Sequence, residues 1–135
     1  MKIIGNEISN INYLDTSIES MKSKIDTEYI VEIYNSKNEL LGDKLSIGTG
    51  SKIVFKNDNT DIVDEYNIIL YGDVNGDGKI NSIDLLLIQR HILKLQRLEG
   101  IFVKSANVLK NGKNPSSVDM LKIQRQILKL ENLIQ

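Results

Sequence analysis

The feature that most constrains the fold is a segment that occurs twice in the second half of the chain. Residues 83–95 (IDLLLIQRHILKL) and residues 118–130 (VDMLKIQRQILKL) are identical at nine of thirteen positions. In both copies apolar residues recur every three or four positions, which is the spacing of an amphipathic helix. The sequence therefore predicts two related helices that belong to one small domain and are related by an approximate two-fold axis.

A polar stretch with two glycines leads into the first copy. Residues 73–84 read DVNGDGKINSID and match the calcium-loop pattern, in which oxygen-bearing side chains alternate and an acid stands at the twelfth position. Calcium takes about six to eight oxygen ligands, and alternate positions of a curling backbone point their oxygens inward. Gly78 permits the turn, and Ile80 is expected to anchor the loop to a core. The predicted ligands are Asp73, Asn75, Asp77, the backbone carbonyl of Lys79, Asn81 acting through water, and Asp84.

The corresponding stretch before the second copy has lost most of these ligands. Asn107 stands at the first position, Leu109 at the third and Asn111 at the fifth. From Asn107 to Asp119 the segment has thirteen residues instead of twelve. Because the number of charged ligands sets calcium affinity, we expect a weak second metal site or none, with Asn107, Asn111 and Asp119 as its candidate ligands.

Each predicted helix has two partly apolar faces. One seam should join the helices, through Leu85, Ile88, Ile92 and Leu95 in the first and Met120, Ile123, Ile127 and Leu130 in the second. The other face mixes apolar residues with cations at matched places: Ile83, Leu86, Leu87, Arg90, Leu93 and Lys94, and Val118, Leu121, Lys122, Arg125, Leu128 and Lys129. Exposed apolar patches rimmed by charge are typical of partner surfaces. Packing against the N-terminal part of the chain is the alternative.

The first part of the chain alternates strand and turn signals. We predict strands near 3–11, 28–34, 52–56 and 65–71, a possible partner strand at 40–41, a helix over 16–24, and turns at 35–38, 48–50 and 57–60. The whole chain is thus predicted to be α+β. A small β-rich module over 1–70, acting as a spacer or stabiliser, should precede an all-α domain over 71–135 that carries the duplicated loop–helix segments.

Composition excludes several classes of function. The chain has no cysteine, which excludes disulfides and thiolate metal sites, and its net charge of −1 implies no bulk attraction to nucleic acid or anionic membranes. No apolar run approaches the roughly 20 residues of a membrane span. The one histidine, His91, falls late in a predicted helix without a motif partner and is expected at the surface. The sequence therefore predicts no catalytic site.

The duplicated loop–helix pattern over residues 71–135 resembles the dockerin domain, a family built from two calcium loop–helix segments. The segment Asn67–Tyr71 before the first loop reads as a strand, and dockerins likewise lack the entering helix of an ordinary EF-hand. The β-rich part before it resembles the X-type or immunoglobulin-like modules that precede dockerins in clostridial-type surface proteins.

This resemblance implies a non-catalytic function. Dockerins bind cohesin domains and thereby hold secreted enzymes, often glycoside hydrolases, in cellulosome-like complexes at the cell surface. The first residues, MKIIG, are too short for a signal peptide, so we expect a fragment of a larger extracellular protein. The family's partner-reading positions carry over to Ser82, Ile83, Gln89, Arg90 and Lys94, and to Ser117, Val118, Gln124, Arg125 and Lys129. Ile83 and Val118 depart from the Ser-Thr pair of one dockerin class and indicate a more hydrophobic contact.

Two other functions stay open on the sequence alone. An EF-hand calcium sensor would share the first loop, but it should have an entering helix, a Glu at the twelfth position and usually a second intact loop, none of which this sequence offers. A calcium-stabilised structural surface module would have the same loop and no tight partner. Binding to cohesins at millimolar calcium distinguishes that module from the dockerin hypothesis.

Overall fold

The computed structural model describes residues 2–9, 28–41 and 47–130, and it combines one β-sheet with three helices. The strands are β1 (Lys2–Ile4), β2 (Glu7–Ser9), β3 (Ile30–Tyr34), β4 (Lys52–Lys56) and β5 (Ile62–Ile68). The helices are α1 (Ser82–Ile92), α2 (Ile101–Ala106) and α3 (Ser117–Ile127). The predicted mixed α+β class is confirmed. The helix predicted over 16–24 lies outside the described residues.

The five strands lie in the order β1-β2-β5-β4-β3. All neighbours are antiparallel except β2 and β5, which run parallel. The strands predicted at 28–34 and 52–56 are confirmed within two residues, and the three predicted turns are confirmed as well. The parallel pairing places β2 beside β5, the strand that leads to the acidic loop of residues 73–84. The first residues of the chain therefore lie close to the start of this loop.

Two short elements differ in extent from their prediction. The single strand predicted over 3–11 is divided by a turn at Gly5, whose φ of 59° lies in the left-handed region that glycine tolerates. The result is the hairpin of β1 and β2. The partner strand predicted at 40–41 is one isolated bridge between Leu40 and Tyr34.

The last strand lies earlier in the chain than predicted. The sequence favoured residues 65–71, whereas β5 starts at residue 62 and ends at residue 68. The strand starts at residue 62 because β5 pairs with β4 along the whole length of β4. A turn follows its end, in which the N–H of Asp73 donates to the carbonyl of Leu70 (3.0 Å). The acidic loop is thus entered from a strand and a turn, not from a helix.

The sheet carries its own apolar core. Five isoleucines are almost completely buried: Ile8, Ile33, Ile47, Ile53 and Ile68. Burial of one such side chain is worth about 1.5–3 kcal/mol. The rings of Phe55 and Tyr66 flank this core edge to face, with centroids 5.9 Å apart. The β-branched residues that predicted the strands therefore also supply the packing.

The helical part has a second core, formed by Val74, Ile80, Ile88, Ala106 and Ile123. The predicted seam between the helices is confirmed at its centre, where α1 and α3 are in contact and Ile88 and Ile123 are fully buried. The seam prediction is wrong at its ends. Ile92 is 36% exposed, Leu95 and Leu130 are 74% and 70% exposed, and none of the three belongs to this core.

Both repeated helices end three residues earlier than the repeat predicts. Lys94 and Lys129 follow the ends of α1 and α3 with φ values of 59° and 58°. This left-handed conformation costs about 1–2 kcal/mol for a residue with a Cβ. It closes each helix with a bond from the N–H of the next residue to the carbonyl five residues back, 2.9 Å in both copies. The chain therefore turns away before Leu95 and Leu130 can join the seam.

Helix α2 was not predicted. It has six residues, and Gly100 before it offers no side-chain cap, so the usual start signal is missing from the sequence. Of the helices in the described ranges, none combines the length and the apolar character that a membrane crossing needs.

Candidate calcium loop and helix faces

Asp73 is the centre of the first loop. Its carboxylate is fully buried and accepts three backbone hydrogen bonds. The N–H groups of Thr49 and Gly78 donate to Oδ2 at 2.9 and 3.0 Å, and that of Gly76 donates to Oδ1 at 2.9 Å. A carboxylate has about four lone-pair sites. The three hydrogen bonds occupy three of them, so Asp73 has roughly one site left with which to coordinate a cation.

Asp84 closes the loop at its other end. This carboxylate is also buried, and its oxygens accept from the N–H groups of Val74 and Asn81, both at 2.9 Å. The side chain of Asn81 accepts from the N–H of Ile83 (3.0 Å), so Asn81 and Asp84 form a capping box at the start of α1. The N-x-x-D pattern of this box was present in the sequence, but Asn81 was predicted only as a calcium ligand.

The other predicted ligands lie on the outer side of the loop. Asn75, Asp77 and Lys79 are exposed. Asp77 accepts from the N–H of Lys79 (2.9 Å), and Asn75 accepts from that of Asp77 (3.2 Å). Ile80 is buried in the helical core, which confirms its predicted anchoring role.

The buried carboxylates of the loop carry an uncompensated charge. Burial raises the pKa of Asp73 to about 7, against the lowering effect of the bonds from Thr49 and Gly78, and the charges of Asp84 and Asp77 raise it further. Burial also raises the pKa of Asp84 to about 6, with a contribution from Asp77. In the described part of the chain, no Lys or Arg forms an ion pair with either buried group. A bound cation would supply the missing positive charge.

The loop fits a hard cation by its chemistry. All its candidate donors are oxygens, which calcium prefers. Among residues 2–9, 28–41 and 47–130, however, no three Asp, Glu, His or Cys side chains lie close enough together to hold a metal ion. The acidic side chains of the loop instead accept backbone N–H groups, and an ion would have to draw the exposed Asn75 and Asp77 toward Asp73.

The second loop keeps the frame of the first. Asp119 is buried, and its oxygens accept from the N–H groups of Leu109 (3.1 Å) and Ser116 (2.8 Å), as those of Asp84 do in the first loop. The side chain of Asn111 holds the intervening turn by accepting from the N–H two residues later (3.0 Å). Leu109 therefore serves through its backbone, and its side chain offers no oxygen.

Asn107 takes the place of Asp73 in the second loop. It is only 7% exposed, and its Oδ1 has no hydrogen-bond partner among the residues that the structure describes. An unsatisfied buried acceptor costs about 1–3 kcal/mol, so this neutral amide oxygen is available to accept a hydrogen bond or to coordinate a cation. The extra residue of this loop falls between Gly112 and Ser116, where Pro115 is buried. The ligand spacing of the first loop is therefore not reproduced.

The outer faces of α1 and α3 expose matching residues. Leu86 and Leu121 are 45% and 50% exposed, and Leu93 and Leu128, the residues directly after the two helices, are each 59% exposed. Leu87 differs, because it is half-buried against the helical core. The remaining predicted partner residues are all exposed: Ser82, Ile83, Gln89, Arg90, Lys94, Ser117, Val118, Gln124, Arg125 and Lys129. The sequence repeat thus produces two similar exposed surfaces, one on each helix.

His91 departs from its prediction as a plain surface residue. The ring is half-buried, and its Nδ1 accepts from the N–H of Leu98 (2.9 Å). Through this hydrogen bond His91 holds the segment that follows α1.

These elements define a class of protein domain. Two loop–helix segments are duplicated, and a strand leads into the first loop where an EF-hand would have a helix. Residues 71–128 match the family described as the dockerin type I domain. The resemblance of this part of the chain to dockerins, expected from the sequence, is thereby confirmed.

Short stretches are also similar to two enzymes of Acetivibrio thermocellus. Endoglucanase D is 64% identical over 28 residues, which cover 21% of this chain and 4% of that enzyme. The cellulase/esterase CelE is 69% identical over 26 residues, which cover 19% of this chain and 3% of that enzyme. The chain thus spans only a few per cent of the length of these relatives.

Proposed function

We propose that residues 71–135 bind a cohesin domain in a calcium-dependent manner, and that residues 1–70 form a β-rich module without catalytic function. The pair would anchor a larger extracellular or surface-bound protein in a multi-protein complex. The dockerin type I match supports the cohesin partner. The names of the two similar enzymes favour a carbohydrate-active parent protein.

The doubled helix face is the observation that carries this proposal. Equivalent leucines are exposed to nearly the same extent on α1 and α3, each beside an arginine. The alternative, that the N-terminal part of the chain covers this face, is not supported by these exposures. Exposed apolar side chains next to Arg are the residue types that anchor protein interfaces. Because one small domain carries two such faces, the same partner could bind to either helix.

A cohesin titration tests the function. The full chain should bind in millimolar calcium and lose binding in excess EDTA. A purely structural calcium module would show no cohesin binding in either buffer. A calcium sensor would expose its partner surface through movement of an entering helix, whereas β5 and a turn lead into this loop.

The ion of the first loop is assigned to the sequence-predicted ligands. Asp73 and Asp84 are already buried and oriented, so they would contribute the carboxylates nearest the core. Asn75, Asp77 and the carbonyl of Lys79 would complete the outer side, with Asn81 acting through water. The bound ion would supply positive charge to these carboxylates, whose negative charges otherwise repel one another.

Calorimetric titration with calcium is expected to show one strong site. Leu109 offers no side-chain ligand, and the longer second loop lacks carboxylates at its first and fifth positions. Asp77→Ala should remove the strong site, while Asn111→Ala, at the equivalent turn, should leave it unchanged. Two sites of similar affinity would contradict this assignment and would show that Asn107, Asn111 and Asp119 suffice for a second ion.

The stability gained from calcium is expected to grow as pH rises from 5 to about 7.5. In the ion-free fold, raised pKa values near 7 for Asp73 and 6 for Asp84 mean that the folded state binds more protons than the unfolded state. Ion-free stability is therefore largest at acid pH and falls as pH rises through these values. Calcium needs the deprotonated carboxylates, so its contribution changes in the opposite direction.

Thermal unfolding at several pH values, with calcium or with EDTA, measures this difference. The gap between the two melting temperatures should widen with pH. An equal gap at pH 5 and pH 7.5 would show that neither buried carboxylate binds the ion.

A further inference from the structure

A turn of the N-terminal module lies directly on the acidic loop. Residues 47–51 connect to β4, and Thr49 and Ser51 in this turn are almost completely buried. The N–H of Thr49 donates to Oδ2 of Asp73 at 2.9 Å, the same oxygen that the loop's own Gly78 reaches. One of the three donors to the first predicted ligand therefore comes from outside the loop–helix domain.

Thr49 is itself held in place. Its hydroxyl donates to the carbonyl of Leu70 (2.9 Å) and accepts from the N–H of the same residue (3.0 Å). The two residues after it are bonded to β5: Gly50 donates to the carbonyl of Ile68 (2.9 Å), and Ile68 donates to that of Ser51 (2.8 Å). The turn is thus bonded to the end of β5 and to the residues just before Asp73.

The approach of the turn to the loop is backbone against backbone. A Cβ on Gly48 would lie 2.3 Å from the carbonyl oxygen of Gly76 and 2.6 Å from Oδ2 of Asp73. A Cβ on Gly76 would lie 2.7 Å from the carbonyl oxygen of Thr49. The closest contact of each Cβ is to a backbone oxygen, which no side-chain movement can relieve, so these two glycines are required for the turn and the loop to meet.

We propose that the 47–51 turn is part of the ion site: it positions Asp73 for calcium, so that ion binding and docking of the two modules strengthen each other. This inference rests on the proposed calcium binding. Before the ion arrives, the turn restricts the carboxylate to one orientation, and preorganisation of this kind lowers the entropic cost of binding. Linkage requires the reverse effect, in which the ion stabilises the docked turn by the same factor.

The ion pair between the modules is too exposed to explain such coupling. Lys104 and Glu7 form a salt bridge with side chains 50% and 31% exposed. Exposed pairs of this kind contribute little to stability. The buried turn, with its donor to Asp73 and its glycine contacts, is the stronger connection between the two parts of the chain.

Gly48→Ala in the full chain tests the inference. The backbone of Gly48 is not left-handed, so alanine adds only the clash with the loop. Calcium affinity measured by calorimetry should fall by about tenfold, within the usual range of coupling between sites. The control is Gly5→Ala, where a Cβ meets nothing within 4 Å although the left-handed backbone is strained. Its calcium affinity should stay within about twofold of the original, as expected for a distant site.

Hydrogen exchange on the unaltered protein gives a second readout that does not depend on a variant folding. The amide of Thr49 should exchange more slowly in calcium than in EDTA, by a factor close to the affinity loss in Gly48→Ala. The inference is overturned if Gly48→Ala binds calcium as the unaltered chain does, or if calcium leaves the exchange of Thr49 unchanged. Failure of the unaltered chain to bind calcium would instead reject the proposed function itself, and this coupling with it.

Discussion

In excess EDTA the helices of residues 71–135 are expected to lose their structure, with α1 melting first. The folded loop places Asp73 and Asp84 in buried positions where their negative charges are not compensated. Ligand geometry of this kind is absent from an unfolded chain, so calcium binding free energy becomes folding free energy. An ion present at a hundred times its dissociation constant contributes about 2.7 kcal/mol, a large share of the stability of a small domain.

Far-UV circular dichroism measures this loss directly. The helical signal and the melting temperature should fall on chelation and recover when calcium is added back. Asp77→Ala should reproduce the chelated state in calcium, because it removes a charged ligand from the exposed side of the loop. Asn111→Ala is the matched control, since it removes the same turn hydrogen bond from the second loop. A helical signal that does not change in EDTA would falsify the proposal that the ion folds this domain.

The combination of Leu86→Ala and Arg90→Ala on α1 is expected to weaken cohesin binding by about a hundredfold or more. Both residues lie on the exposed face of the helix. Apolar anchors beside an arginine commonly cost about 2 kcal/mol or more each on truncation, and their effects are not strictly additive. Titration of the full chain with a cohesin in saturating calcium gives the affinity, and circular dichroism confirms that the fold is retained.

The equivalent pair on α3, Leu121→Ala with Arg125→Ala, is the matched control and should cost less. An approximate two-fold relation between the helices would let the domain dock in either of two orientations, which differ by about half a turn. The first helix should be preferred, because it follows the loop with the full ligand set. Equal losses from both pairs would mean that both helices are engaged at once. If neither pair weakened binding, the partner surface would lie elsewhere.

The repeat carried most of what could be predicted about the helical domain. Nine identities in thirteen positions predicted two helices, and the structure has them with equally exposed outer leucines. Their ends were not predicted, because Lys94 and Lys129 adopt a left-handed conformation that a lysine rarely signals. Six-residue α2 lacks a capping side chain and therefore left no pattern to recognise.

The contact between the turn and the loop could not be predicted for a different reason. Thr49 and Asp73 are 24 positions apart, and the Gly-Thr-Gly segment by itself indicates only a turn. Only tertiary packing brings the N–H of Thr49 to the carboxylate of Asp73, which was predicted from the sequence only as a calcium ligand. Local patterns identified both partners of this contact without indicating that they meet.

The facing glycines at 48 and 76 also affect how this chain can be cut and recombined. A fusion tag that began at residue 71 would keep the whole repeat but lose the backbone donor and the cover that Thr49 gives to Asp73. Grafting the same segment behind an unrelated domain would create the same exposed loop. The smallest segment expected to keep the loop in this arrangement is therefore longer than the duplicated segment, and it includes the sheet that presents the 47–51 turn.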